Sequence, residues 1–387
     1  MKRSTDRILT THSGSLPRPR ELAELLLDRA DNKPVDKAKF DALARQSVAD
    51  TVRKQVEAGV TVVNDGETAK VSYAAYLKDR LNGFEELEDV QYRSRARAFL
   101  GEAEQFPEYS KRKYEFRSMQ LATCVGPISW KDFWQVERDI DNLKSAVASH
   151  GGEIAETFMS AAAPTVASGR QPNKYYKTME EYQIALADTL KREYQAIVDA
   201  GLLLQVDFPE GVFSRNFKAD TDVKEHRKKI EKDVEMLNYS IAGIPSDRIR
   251  IHMCWGHSEG AHTNDIELRH CADLLMKIKA DGLTLVGANA RHDWEWQVWK
   301  DVKKPDEKVI CIGVIDQTTN TVEHPETVAQ RLERYASVMG RESVIAGVDC
   351  GFSTFVGEEP RVDHDIVWAK LRSMAQGAEI ASKRLWK

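Results

Sequence analysis

Two rhythms of apolar and polar positions alternate along this chain. Short apolar runs recur, each followed by polar or Gly-containing residues and then by a stretch with helical spacing. The runs are Ile8–His12, Val60–Asn64, Leu121–Gly126, Leu202–Asp207, Ile249–Cys254, Leu283–Ala288, Val309–Ile315 and Val344–Cys350. Between them, Phe40, Leu43, Ala44, Val48 and Val52 keep a helical stripe that Gly59 closes. Thr178 and Glu181 form a capping-box pattern ahead of Tyr182, Leu186, Leu190 and Ile197, with Gly201 as the stop. Pro325 opens another helix through Val328, Leu332 and Tyr335, which Gly340 ends. Strands alternating with helices predict an α/β fold, a (β/α)8 TIM barrel. A doubly wound open sheet competes, but the eightfold count and the polar residues at the ends of the runs favour the barrel.

The spacing is uneven, and helical excursions are expected after strands 2 and 3. The charged segment Glu85–Arg117 reads as a helical arm or dimer contact, which leaves a homo-oligomer open. Glu153–Arg170 contains the small-residue stretch Met159–Pro164 and reads as a loop able to approach a ligand closely. Trp294, Trp296 and Trp299 read as a helix packed on the barrel. Residues 1–387 contain no repeat or clear linker and read as a single catalytic domain.

Composition narrows the class. A 42% hydrophobic and 30% charged chain of 387 residues is globular, and a formal charge of −5 argues against a broad nucleic-acid surface. Neither an apolar leader after Met1 nor an apolar stretch long enough for a membrane span is visible. Five Cys, an odd and sparse number, argue for free thiols in a cytoplasmic, reducing compartment.

In a barrel, chemistry sits at the C-terminal ends of the strands. His252 and Cys254 lie two apart at the end of one run, so they share one side of a strand. Cys350 ends the last run in a similar context. An imidazole and two thiolates converging on one rim make a three-ligand zinc site with an open position, the catalytic rather than the structural type. Thiolate-rich zinc suits activation of a substrate thiol better than activation of water. The opposing reading is that all three are core residues, and the His-x-Cys pair with Cys350 in a matching context tips the balance to metal. Cys124, Cys271 and Cys311, inside apolar or helical stretches, read as core.

Other rim positions have weaker signals. Asp207 and Glu67 can clamp a substrate ammonium or be ordinary loop carboxylates. Ser15 beside Gly14 can hold an anionic group or form a turn. Trp130 can stack on a flat donor or start a helix. His12 is a candidate for an acid, His257, His262 and His292 for an acid or a fourth ligand, and Arg291 for an anionic substrate tail or a surface ion pair. Glu210 completes the fourth strand end.

Taken in order, these segments resemble the C-terminal barrel of cobalamin-independent methionine synthase. The matching segments are Thr10–Pro17, Asp65–Gly66–Glu67, Gly126–Pro127, Gln205–Pro209, His252–Met253–Cys254 and Asp349–Cys350–Gly351. The resemblance implies zinc on His252, Cys254 and Cys350, with Ser15, Glu67 and Asp207 holding the amino-acid end of a thiol such as homocysteine. Where that family has a Glu ligand at the end of strand six, this chain has Val286. The family's additional N-terminal barrel has no counterpart here, which bears on the polyglutamylated folate donor. Cys254–Trp255–Gly256 and Asn289–Arg291–His292 are closer to the short single-barrel branch that includes epoxyalkane:coenzyme M transferase. The expected activity is alkyl transfer, methyl first, to a zinc-activated thiol. Epoxide opening by a zinc-bound thiol, with His12 or His292 as the acid, is the second reading, and a metal-free barrel lyase or decarboxylase the third.

Overall fold

The computed structural model describes residues 1–91, 104–109, 120–150, 154–209, 212, 222–256, 259–353, 355–357 and 360–387. A curled, seven-stranded parallel sheet organises them. Its members, in spatial order, are β1 (Val62–Val63), β4 (Glu156–Ala162), β5 (Leu203–Asp207), β6 (Ile249–His252), β7 (Gly282–Leu285), β8 (Val309–Ile315) and β9 (Val344–Val348). The segment Leu9–Thr11 bonds to both edges of that sheet. Thr11 N–H donates to Ala346 O at 2.8 Å and Ala346 N–H to Leu9 O at 2.9 Å, while Thr61 and Val62 N–H donate to Thr10 O at 3.1 and 2.9 Å.

Helices flank the strands as their apolar spacing requires. Lys37–Glu57 buries Phe40, Ala44, Val48 and Val52. Met179–Asp199 starts at a complete capping box, with the Thr178 hydroxyl on Glu181 N–H and the Glu181 carboxylate on Thr178 N–H. Pro325–Met339 has Pro at its first position and stops at Gly340, whose φ of 84° suits glycine. The Trp294–Trp299 segment is a 3-10 turn rather than an α-helix, with Trp299 buried and Trp294 exposed.

One predicted strand is misplaced. Leu121–Gly126 belongs to β3 (Gln120–Trp130), which pairs antiparallel with β2 (Leu81–Gln91) outside the parallel sheet. Gly126–Pro127 therefore does not end a sheet strand. The predicted helical excursion over Glu85–Arg117 instead begins as β2, and residues 92–103 and 110–117 of it lie outside the described residues. The sheet position belongs to β4, in the segment read as a loop after strand three. Its Met159–Ala162 end is buried, yet Ser and Ala there give no apolar run to recognise. Small side chains suit this strand because Gln205 and Tyr194 approach it closely, Gln205 Nε2 at 3.2 Å from Ser160 Oγ and Tyr194 OH at 2.6 Å from Ala162 O.

Most of the core lies between strands and helices. Two small clusters, Leu9–Val309–Cys311–Ile345 and Val62–Phe158–Leu203, share Met1 and Ala155 as neighbours. The fully buried Arg250 lies 3.7 Å from the Phe158 ring and donates to Gln205 Oε1 (2.8 Å), Thr11 Oγ1 (2.9 Å) and His12 O (2.6 Å). Among the described residues, no helix is long and apolar enough to cross a membrane.

Candidate active site

β5 and β6 run parallel with Asp207 opposite His252, and both sit where their strands end. The Asp207 carboxylate accepts from His252 Nδ1–H at 3.0 Å and from Gln205 Nε2–H at 2.9 Å, through the same oxygen. The other imidazole nitrogen of His252, Nε2, is buried with no hydrogen-bond partner. Cys254, two residues on, has its Sγ 3.5 Å from Cys350 Sγ. The donor atoms of His252, Cys254 and Cys350 lie within 4.8 Å of one another, and all three residues are buried. An orphaned imidazole nitrogen beside two sulfurs is a donor set that fits zinc. The carboxylate behind the imidazole is the partner that metal-binding histidines ordinarily have, fixing tautomer and ring orientation.

Electrostatics agree with that geometry. Hydrogen bonding from Cys350 holds the Cys254 thiol well below its ordinary range despite burial, and the same contact pushes Cys350 up. Burial opposes a charge on His252, yet Asp207 and the Cys254 sulfur carry its pKa up to about 10. Without metal, the cluster therefore holds a protonated imidazole beside sulfurs that share a proton. Displacing those protons with a divalent cation keeps the charges balanced.

The structure also brings Ser15, Glu67 and Asp207 to this rim. Ser15 is buried against Gly351, the neighbour of Cys350, where an added Cβ would lie 2.1 Å from Ser15 Oγ. Glu67 is buried with a left-handed φ of 54°, an uncommon conformation for a non-glycine residue and one that concentrates at functional sites. Gly14 must be glycine here. Its φ is 132°, and a Cβ would meet Glu67 Oε1 at 2.3 Å. Burial, then the nearby Asp207 charge, lifts the Glu67 carboxyl to about 7.

Four further candidates are not assembled with this set. Trp130 ends β3, donates its indole N–H to Thr189 O at 2.8 Å and packs edge-on against Phe133, so it is tied to the Met179–Asp199 helix. His12 has both ring nitrogens engaged, Nε2 with Gln55 Oε1 (2.8 Å) and Nδ1 with Gly14 N–H (3.2 Å). Burial pushes its pKa down to about 3, which removes it as a proton donor near neutrality. His292 belongs to a second buried cluster with Asp265 and Glu295. Arg291 is exposed. His257 and Glu210 lie outside the described residues.

Sequence reasoning assigns no role to Gln205, Ser160, Arg250 or Asp349, although Gln205 and Asp349 lie within the segments that carry the resemblance. Gln205 and Asp207 share one strand face by spacing alone, which was the available signal. The Asp349 carboxylate accepts from the backbone N–H groups of Gly287 (2.8 Å), Ala288 (2.9 Å) and Asn289 (2.6 Å), tying the end of β9 to the turn after β7.

Residues 165–379, more than half of the chain, match the family described as cobalamin-independent synthase, catalytic domain. A methionine synthase of Sulfolobus acidocaldarius is 26% identical over 380 residues, covering 98% of this chain and 93% of the relative. A methionine synthase of Sulfurisphaera tokodaii is 25% identical over 377 residues, covering 97% and 93%. Among solved structures, a B12-independent methionine synthase from Shewanella sp. W3-18-1 in complex with selenomethionine superposes with a TM-score of 0.75 at 20% identity, covering 98% of this chain and 99% of that one. That likeness establishes a shared fold.

Proposed function

Because the chain belongs to the cobalamin-independent synthase catalytic-domain family, we propose that it transfers a methyl group to a thiol, homocysteine first, at a zinc ion held by His252, Cys254 and Cys350. The observation that carries this reading is the unpartnered, buried His252 Nε2 beside two sulfurs 3.5 Å apart, with Asp207 behind the ring. Zinc there supplies the positive charge that lowers a substrate thiol's pKa toward neutrality. Asp207 orients His252 and, with Glu67, offers carboxylates to a substrate ammonium. Ser15 offers a hydroxyl for the substrate carboxylate. Ser15, Glu67 and Asp207 are all buried, so water would screen their contacts with a substrate only weakly. In-line attack of sulfur on the methyl carbon would form the new C–S bond as the bond from that carbon to the donor breaks, the donor leaving with the electron pair. It needs no protein base at the sulfur because the thiol proton has already passed to solvent on binding.

Two broader statements belong to the same reading. Residues 1–387 form one catalytic domain, with Leu9–Thr11 as the eighth strand of a closed barrel, and its bonds to both sheet edges support this. All five cysteines are free, which suits a reducing, cytoplasmic setting. The epoxide-opening alternative needs an acid at the leaving oxygen. His12, with both nitrogens engaged and a pKa near 3, does not supply one.

The test is proton release at neutral pH when zinc-loaded protein is titrated with homocysteine and, separately, with coenzyme M, because a thiol that binds metal gives up its proton. Release with homocysteine supports methyl transfer to that thiol. Release with coenzyme M alone overturns the homocysteine assignment in favour of epoxide opening. Release with neither overturns the thiol site.

A further inference from the structure

A second group of donor residues lies on the loops that follow β6 and β7. His262 Nδ1 and His292 Nε2 approach the same oxygen of Asp265, Oδ2, at 2.7 and 2.9 Å. The donor atoms of these three residues lie within 4.8 Å of one another, and all three are buried. The two imidazole rings stand 84° apart with centroids at 6.4 Å, so their nitrogens reach one point from different directions rather than stacking. The far nitrogen of His292, Nδ1, is held by Glu295 Oε2 at 3.0 Å, and Glu295 Oε1 is fixed by Leu268 N–H at 2.6 Å. Trp255, next in sequence to Cys254, lies against the His292 ring at 4.3 Å and donates its indole N–H to Ile266 O at 2.8 Å.

We propose that His262, Asp265 and His292 form a second metal site, which takes a divalent transition-metal ion of the zinc or ferrous-iron class. The construction repeats that of His252, in which a carboxylate fixes the far nitrogen of an imidazole and leaves the near one pointing into a cluster of donors. At His252 the carboxylate is Asp207, and at His292 it is Glu295. Two imidazoles with one carboxylate are a borderline-to-hard donor set, well matched to zinc or ferrous iron and distinct from the sulfur-rich set. His262 adopts a left-handed φ of 54°, a conformation that a non-glycine residue keeps only when its surroundings hold it. An ion here ties the loop that begins at Trp255 to the turn around residues 289–295, and so braces the backbone beside Cys254. The proposal is independent of the reaction assigned above, since it concerns different donors and is read by metal binding alone.

The competing explanation is a carboxylate hydrogen-bonded to two imidazoles and nothing more. Cobalt(II) titration of metal-free protein separates the two, with bound metal counted by elemental analysis. The expected result is about two ions per chain, with the thiolate-to-cobalt charge-transfer band saturating after about one of them. The double variant C254S/C350S leaves the second cluster untouched and should keep one ion without that band. H262A should lose one ion and keep the band. A folded C254S/C350S protein that holds no ion, or an H262A protein that holds as many ions as wild type, overturns the site. Should either variant fail to fold, the wild-type count decides, and one ion with a full charge-transfer band overturns the proposal. If the wild-type protein binds cobalt with no charge-transfer band while H262A binds none, this site stands and the sulfur site of the proposed function fails.

Discussion

Asp207→Asn removes a charge behind His252 while keeping the shape. One oxygen of Asp207 accepts both from His252 Nδ1–H at 3.0 Å and from Gln205 Nε2–H at 2.9 Å. An asparagine with its carbonyl in that place keeps both bonds, so the loss is electrostatic. A hydrogen bond to a charged group contributes roughly 1.5–3 kcal/mol and a neutral one about 1 kcal/mol, a difference of about 1–2 kcal/mol. Expressed on the metal, loss of such a supporting carboxylate weakens binding about 10–100-fold. That range corresponds to about 1.4–2.7 kcal/mol, so the two routes overlap near 2 kcal/mol. The assay is competition for zinc against a chromophoric chelator at pH 7.5, with circular dichroism to confirm the fold. The expected result is a zinc Kd raised about 10–100-fold in D207N. In D207A the buried His252 Nδ1–H also loses its acceptor, at a further cost to stability of about 1–3 kcal/mol, while Gln205 Nε2 keeps Ser13 O (2.8 Å) and Ser160 Oγ (3.2 Å). An unchanged zinc Kd in D207N would refute the argument that Asp207 acts through His252. Equal loss of stability in the Asn and Ala variants would refute the claim that the shape is retained.

Other consequences can be checked separately. C350S should lose the thiolate-bound ion and transfer activity while keeping its circular dichroism, and zinc binding to metal-free wild type at pH 7 should release about two protons, one from His252 and one shared by the sulfurs; calorimetry in buffers of different ionisation enthalpy counts them. Glu67 has its pKa raised from 4.5 to about 7 by burial and by Asp207, so the folded state binds that proton more tightly than the unfolded state and stability falls as pH rises through that window. E67Q should remove this slope, giving metal-free protein that gains stability over wild type at pH 8 more than at pH 5 in urea unfolding; an equal difference at both pH values would refute the shift. W130F should lose the bond to Thr189 O and about 1 kcal/mol of stability with no change in thiol binding, and weakened thiol binding would return Trp130 to the site.

What could be read in the sequence follows from what each element buries. β8 and β9 are buried along their whole length and read as unbroken apolar runs that a scan finds, while β5 and β6, equally buried, stay recognisable although Gln205 and Arg250 interrupt them. β4 is buried from Phe158 to Ala162, but Ser160, Ala161 and Ala162 carry too little apolar surface to register, because larger neighbours fill the space beside them. β3 deceives in the opposite way. Its Ala122 and Cys124 are buried by packing of an antiparallel pair outside the main sheet, and a one-dimensional run does not say which sheet it joins. At the site, the meeting of His252, Cys254 and Cys350 was legible because an imidazole and a thiol two apart at one strand end, with a second thiol in a matching context at another, form a recognisable spacing. Arg250 and Gln205 were not, since their role depends on contacts across the sheet interior, with Thr11, His12 and Ser160. His12 shows the limit most clearly. Its position at a strand end suggested an acid, and only its burial in the folded barrel, which outweighs the opposing hydrogen bond to Gln55 and is helped by the nearby Arg250 charge, holds its ring neutral.

Val286 departs from the pattern that the resemblance implies for this rim, and Asp349 fixes the backbone beside it. Val286 stands where the resemblance to cobalamin-independent methionine synthase places a glutamate ligand, and its buried isopropyl group has no donor atom. The turn that follows it is not free to bring another group inward, because the Asp349 carboxylate holds the N–H groups of residues 287, 288 and 289. Burial, then repulsion from Asp316, pushes Asp349 up to about 7, and those three backbone bonds pull in the other direction. The same residue immediately precedes Cys350, so one side chain fixes both the approach of the sulfur and the backbone beside the missing ligand. A glutamate restored by Val286→Glu would therefore enter on a backbone already fixed in place and add a fourth donor at little cost in reorganisation. The variant should bind zinc more tightly and release fewer protons on addition of homocysteine, because carboxylate and thiol would compete for one position. Weaker zinc binding in V286E would show instead that the turn is set too far from the sulfurs for a side chain of that length to reach the ion.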